Sequence, residues 1–175
     1  RSLCFVVLNY VLFCRGDTGV SLTPERVILD PRGVHVAPLH EKGREHRHDG
    51  KLVVIPRAGL PDLWQLLSDY KAWHSSLKFG RSKGNATRSL WRLPHESGGK
   101  WPASLADTWL QVVMRHLQHS PPAGLTWTGH SMRKGSSSAA KAIGVFLESI
   151  CFFAGWSIPA GTFHTYIDPT WVPTP

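Results

Sequence analysis

Apolar residues fill almost every position from Leu3 to Cys14, and the run stops at Arg15-Gly16-Asp17. A membrane span needs roughly 20 such residues, so this stretch is too short to cross a bilayer. No small-residue cleavage site follows it, which argues against a signal peptide. The pattern predicts a buried helix ending in Arg15. From Val27 to Pro56 the spacing becomes extended. Val27-Ile28-Leu29 and Val34-His35-Val36 flank the turn signal Asp30-Pro31-Arg32-Gly33, and Leu52-Val53-Val54-Ile55 follows a polar loop from His40 to Gly50. Short β-type runs separated by turn residues predict a three-stranded antiparallel sheet.

Helical spacing returns at Leu60, Leu63, Trp64, Leu67 and Tyr70, with Pro61 at a position that suits a first helical turn. Ser104 is a candidate N-cap for a helix whose apolar positions are Leu105, Trp109, Val112, Val113 and Leu117, ended by Pro121-Pro122. Two more helices are expected over about 131–142 and 145–154, broken near Gly144, then a turn-rich tail from Gly155 with a short helix around 159–166. The prediction is an α+β chain, mostly helical, with one small sheet, no internal repeat and no long disordered tract.

A length of 175 residues suits one domain with a hydrophobic core of its own. Lys and Arg number 20 against 12 Asp and Glu, giving a formal charge of +8. Such an excess suits a polyanionic partner, because each neutralised phosphate releases condensed counterions; a merely basic protein is the plainer alternative. Over residues 78–102 the cations Lys78, Arg81, Lys83, Arg88, Arg92 and Lys100 face Glu96 alone. That stretch reads either as a segment tracking a DNA backbone or as a solvated insertion. Cys4, Cys14 and Cys151 are odd in number and form no Cys-x-x-Cys pair. They point away from a disulfide framework and a thiolate zinc site, toward a reducing compartment. Because the chain opens on Arg1 directly into an apolar run, it is expected to be a fragment of something longer.

The chemistry concentrates downstream. Thr128-Gly129-His130-Ser131-Met132-Arg133-Lys134-Gly135 holds a His-x-x-Arg pair, followed by a run of small residues from Ser136 to Ala142. Alone, such a pair is a weak signal in a chain with 10 histidines. Its neighbours add weight: Gly155-Trp156-Ser157 follows, Tyr166 lies ten residues beyond Trp156, Arg15 closes the first apolar run, and Lys42 lies in the loop between the second and third strands.

In that order of residues, and in the phrases Gly129 to Gly135 and Ala154-Gly155-Trp156-Ser157, the chain resembles the catalytic domain of tyrosine recombinases, the phage-integrase family. The resemblance runs from about residue 5 to 168 and is most specific over 128–166. It implies a mostly helical α+β domain over residues 1–175, with the family's separate DNA-clamping domain lying before residue 1. It also implies cutting and rejoining of double-stranded DNA through a 3′-phosphotyrosine, without metal or cofactor, by a tetramer assembled on DNA. The setting would be intracellular: cytoplasm in a prokaryote, nucleus in a eukaryote. The roles open to such an enzyme include phage integration, movement of a mobile element and chromosome resolution. The implied catalytic set is Arg15, Lys42, His130, Arg133, Trp156 and Tyr166. Family members usually carry an acid three residues after the first arginine; here that position is Thr18, with Asp17 one short. Lys51 competes with Lys42 for the lysine role.

The chemistry of that set is coherent. Two arginines on the non-bridging oxygens relieve the repulsion between a phosphodiester and its attacker and stabilise the transition state. A tyrosine with an ordinary pKa near 10 needs positioned help to attack. His130 would accept its proton or orient the phosphate, and a lysine would protonate the departing 5′ oxygen. Trp156 would hold the phosphate or the tyrosine segment through indole N–H donation and packing. The covalent intermediate conserves the bond, so rejoining needs no ATP. Plainer readings stand beside these: Arg15 as a helix-end cation favoured by the helix dipole, Lys42 as a solvated charge, His130 as a surface or core histidine, Trp156 as core. Tyr10 and Tyr70 fall on apolar helix faces, which leaves Tyr166 as the nucleophile candidate. Rival functions are a DNA-binding remnant of the same fold that no longer cuts, a type IB topoisomerase-like enzyme, and a zinc module built on His40, His46 and His48, which lacks a thiolate or a placed fourth ligand.

Overall fold

The computed structural model describes residues 1–37, 52–78, 89–96, 101–102 and 104–170. Lys42, Lys51, the histidine cluster 40–48 and most of the basic stretch 78–102 lie outside the described residues. Helix α1 (Ser2–Val11) is the central element, packed against α2 (Gly16–Val20), α3 (Pro61–Ser76), α4 (Ser104–His116) and α5 (Gly129–Ala142). Neighbours on several sides explain why its sequence is apolar nearly all round. Among the described residues no helix is long and apolar enough to cross a membrane. Helix α6 (Leu147–Ala154) follows a break at Gly144, whose φ of 86° suits glycine, and a short 3₁₀ turn at Thr162–Thr165 closes the described tail.

The sheet forms as expected. Strands β1 (Val27–Asp30), β2 (Gly33–Val36) and β3 (Val53–Pro56) are antiparallel in the order β1-β2-β3. Val27 pairs with Val36, and Val34 with Ile55. These four are buried while Ile28 and Val54 face solvent, the alternation of a sheet with one wet face. The Asp30 carboxylate holds the hairpin by accepting from the backbone N–H groups of Arg32 and Gly33 at 2.8 and 3.0 Å. Helix α3 is tied to this end of the molecule by the Trp64 indole, which donates to the Asp30 carbonyl at 2.8 Å, and by the Lys71 ammonium, which donates to the carbonyls of Pro24 and Val27.

Three expectations are corrected. The first apolar helix does not run to Arg15: it stops at Val11, Phe13 takes a positive φ of 54°, and the Cys14 N–H returns to the Asn9 carbonyl at 3.1 Å. Arg15 is therefore the N-cap of α2, at the positive end of a helix, where a dipole would disfavour a cation. On α4 the buried positions are Ala106, Trp109, Leu110 and Val113, while Val112 and, one residue past the helix, Leu117 are exposed. The face is rotated from the expected one because α4 must meet α1, α2 and α5 at once, and small Ala106 permits the approach beside Gly129. The third concerns the stretch 78–102, read as a backbone-tracking or solvated segment, whose described part includes residues 89–96. Leu90 and Trp91 are wholly buried in the core. The Trp91 indole donates to the Gly19 carbonyl at 2.7 Å, and the Leu90 N–H to the Leu22 carbonyl at 2.6 Å.

Candidate active site

Helix α5 starts at a capping box: Thr128 is the N-cap, and its N–H donates to the Ser131 hydroxyl at 3.0 Å. The same N-terminus is held by α4, because Asp107 Oδ1 accepts from the Gly129 N–H at 2.5 Å. His130 and Arg133 then stand three residues apart and share a helix face. They line a cavity of about 230 Å³ together with Arg15, Asp17, Ser104 and Asp107. Arg15 enters from the start of α2, with its Nε 3.6 Å from Asp17 Oδ1.

Arg133 is 6% exposed, far from the usual position of an arginine, and its partners explain the burial. Its guanidinium donates to the Ala154 carbonyl at the end of α6 and lies 4.8 Å from the centroid of the Trp156 ring and 5.4 Å from that of Tyr166. The turn that makes this possible is Gly155, the C-cap of α6 at φ 69°, a left-handed conformation that favours glycine. The Trp156 N–H closes that turn on the Cys151 carbonyl at 2.8 Å.

Tyr166 completes the cluster. Its ring stacks on Trp156 at 4.9 Å between centroids with 22° between planes, and its hydroxyl is 3.0 Å from His130 Nδ1. The backbone of the tyrosine segment rests on α5: Ser138 Oγ donates to the Tyr166 carbonyl at 3.4 Å and accepts from the Asp168 N–H at 2.9 Å. Hydrogen bonds from the Thr170 hydroxyl and amide, with Lys134 nearby, hold the Asp168 carboxyl below its ordinary pKa.

Five of the six residues singled out from sequence thus gather around one location. Arg15, His130 and Arg133 surround the cavity, and Tyr166 and Trp156 stack against the His130 and Arg133 side of it. Lys42 falls outside the described residues. Thr18 is buried, and the carboxylates at the cavity are Asp17 and Asp107. Asp107 and Ser138 were not singled out for chemistry from sequence. Their contacts span 22 to 30 residues, and no local spacing marks them.

Such a site offers two guanidinium groups for an anion, and a phenol hydrogen-bonded to an imidazole that can take its proton. No protein-family model matches the chain, and no curated protein matches it in sequence. Among solved structures the chain is similar to the XerH site-specific recombinase bound to difH substrate in a pre-cleavage complex, with a TM-score of 0.67 at 9% identity. It is similar also to XerH on a palindromic difH substrate in a post-cleavage complex, with a TM-score of 0.65 at 9% identity. The match covers 95% of this chain but only 43% and 42% of those chains. The chain therefore has a tyrosine-recombinase-like fold and spans less than half the length of the recombinases it matches.

Proposed function

We propose that this chain is the catalytic portion of a site-specific DNA recombinase that cuts and rejoins double-stranded DNA through Tyr166. The observation that carries this reading is the Tyr166 hydroxyl 3.0 Å from His130 Nδ1, beside the Arg133 guanidinium. In the proposed step Tyr166 Oη attacks the phosphorus in line and gives its proton to His130. The bond from phosphorus to the 5′ oxygen breaks, that oxygen takes a proton from Lys42 or Lys51, and the strand's 3′ phosphate is left esterified to the tyrosine. Arg15 and Arg133 neutralise the non-bridging oxygens as charge builds. Attack by the freed 5′ hydroxyl of another strand reverses the step without ATP. These groups supply the charge neutralisation and proton transfers that a metal supplies in other phosphodiester chemistry, so the activity is expected to persist in EDTA. The working form is proposed to be a tetramer on DNA.

The test is a pool of duplexes of randomised sequence, each nicked so that the short 5′ fragment diffuses away after cleavage. Incubated with the chain in EDTA, the pool should yield a protein–DNA adduct that survives denaturation. Tyr166→Phe should abolish the adduct and leave binding intact, and binding should weaken steeply as salt rises. An adduct that survives Tyr166→Phe moves the nucleophile elsewhere. Cleavage that needs Mg²⁺ and leaves no adduct makes the protein a metal nuclease. Salt-sensitive binding with no adduct on any sequence makes it a binding remnant of the same fold.

A further inference from the structure

Besides Arg133, which lies beside the Tyr166 ring, three residues of α5 that meet the tyrosine segment fall on one line. His130, Lys134 and Ser138 are spaced four apart, so they lie along one helix face. His130 contacts the Tyr166 hydroxyl, Lys134 Nζ is 3.9 Å from Asp168 Oδ2, and Ser138 Oγ bonds the backbone on either side of Ile167. Eight residues of helix rise about 12 Å, so the tyrosine lies along α5 with its backbone at Ser138 and its hydroxyl at His130. We propose that Ser138 is a positioning residue that sets where the Tyr166 hydroxyl sits relative to His130 and Arg133, an inference that rests on the recombinase reading for its catalytic consequence.

Three features single out Ser138. It is 2% exposed, so water cannot readily replace its contacts. Its hydroxyl works in both directions, donating to the Tyr166 carbonyl and accepting from the Asp168 N–H, the full donor capacity of a serine and half its acceptor capacity. Its neighbours Ser136 and Ser137 turn their hydroxyls back onto the Arg133 carbonyl of their own helix, at 3.2 and 2.7 Å. The Lys134–Asp168 contact is long and solvent-exposed, so it adds little to holding the segment. A chain that reaches its nucleophile through a 3₁₀ turn and an exposed tail needs such a tether, because a displacement of about 1 Å at the reacting atom can cost on the order of 100-fold in rate.

The experiment compares the wild-type chain with Ser138→Ala and Ser138→Cys. Alanine is the better helix former, so α5 is not expected to unfold, and thermal melts check this. Exchange of the Asp168 amide hydrogen, followed by NMR, should speed up about tenfold in Ser138→Ala, as fits the loss of one net hydrogen bond. Ser138→Cys keeps the size with a weaker donor and acceptor, and should fall between. Amides of the sheet should not change. On a cleavable nicked duplex, Ser138→Ala should lower the saturating adduct rate by about 10- to 100-fold without moving the DNA concentration for half-saturation. An Asp168 amide that exchanges at the wild-type rate in Ser138→Ala overturns the proposal. So does an adduct rate that stays at the wild-type value, or falls only in step with weaker DNA binding. A wild-type chain that forms no adduct sinks the recombinase reading instead, and the exchange measurement then decides the anchor alone.

Discussion

Two aromatic clusters in this molecule each contain a tyrosine, and they have opposite characters. In the first, Phe5 meets Trp91 and Trp109 edge-on at 87° and 71°, Tyr70 lies 5.6 Å from Trp91, and the Tyr70 hydroxyl donates to the Leu90 carbonyl at 3.1 Å. Burial pushes the Tyr70 phenol well above its ordinary pKa. In the second, Trp156 and Tyr166 stack nearly parallel and half-exposed, with a guanidinium beside the rings and an imidazole on the hydroxyl. The residue types are similar, but their surroundings are not. A phenol committed to a backbone carbonyl in the core is part of the packing. A phenol whose hydroxyl meets an imidazole nitrogen beside a polar cavity, half-exposed, is not committed to the packing in that way. Chemistry here is read from what each ring's polar end touches rather than from aromatic content.

The sharpest way to break this contrast is to remove one tryptophan from each cluster. Trp91→Ala empties a fully buried site and should cost about 3–5 kcal/mol of stability, seen as a lower urea midpoint. Trp156→Ala removes a half-buried ring and should cost no more than about 1.5 kcal/mol, while the adduct rate falls by an order of magnitude or more as the tyrosine loses its stacking partner. If Trp156→Ala proves the more destabilising, the second cluster is a packing unit like the first.

A smaller effect is expected at Tyr70. Tyr70→Phe should lose about 1 kcal/mol by stripping the Leu90 carbonyl of its partner. Because the folded-state pKa of Tyr70 is raised, its neutral form contributes stability in full below the unfolded value near pH 10. That contribution is lost as pH rises above 10 toward the folded value. Tyr70→Phe should therefore flatten the alkaline arm of a stability–pH profile, and an unchanged arm would mean the phenol is less buried than described. The smallest effect belongs to Tyr10, at 38% exposure on α1. Tyr10→Phe should move stability by no more than about 0.5 kcal/mol and leave the adduct yield unchanged; a fall in adduct would make Tyr10 a second functional phenol.

The features legible in the order of residues were local. Short β-type runs over 27–36 and 52–56, separated by turn residues, were enough for a three-stranded antiparallel sheet, and Gly144 and Gly155 marked the ends of helices, where their positive φ suits glycine. The His-x-x-Arg pair was legible in the residue order, but the expected helix over about 131–142 left His130 outside, and the observed start at Gly129 puts both on α5. The tertiary structure alone decided the rest. The periodicity of α4 was satisfied by two overlapping faces, and contact with α1, α2 and α5 selected the one through Ala106 and Leu110. Leu90 and Trp91, set in a stretch that read as either backbone-tracking or solvated, became core, with the Leu22 and Gly19 carbonyls accepting from their N–H groups. Arg15 moved from a helix end to a helix start through one positive φ at Phe13. Asp107 and Ser138 joined the site through hydrogen bonds over 22 to 30 residues. Local patterns encode which way a side chain points from its own element, whereas the contacts that gather a site depend on how elements far apart in the chain pack together.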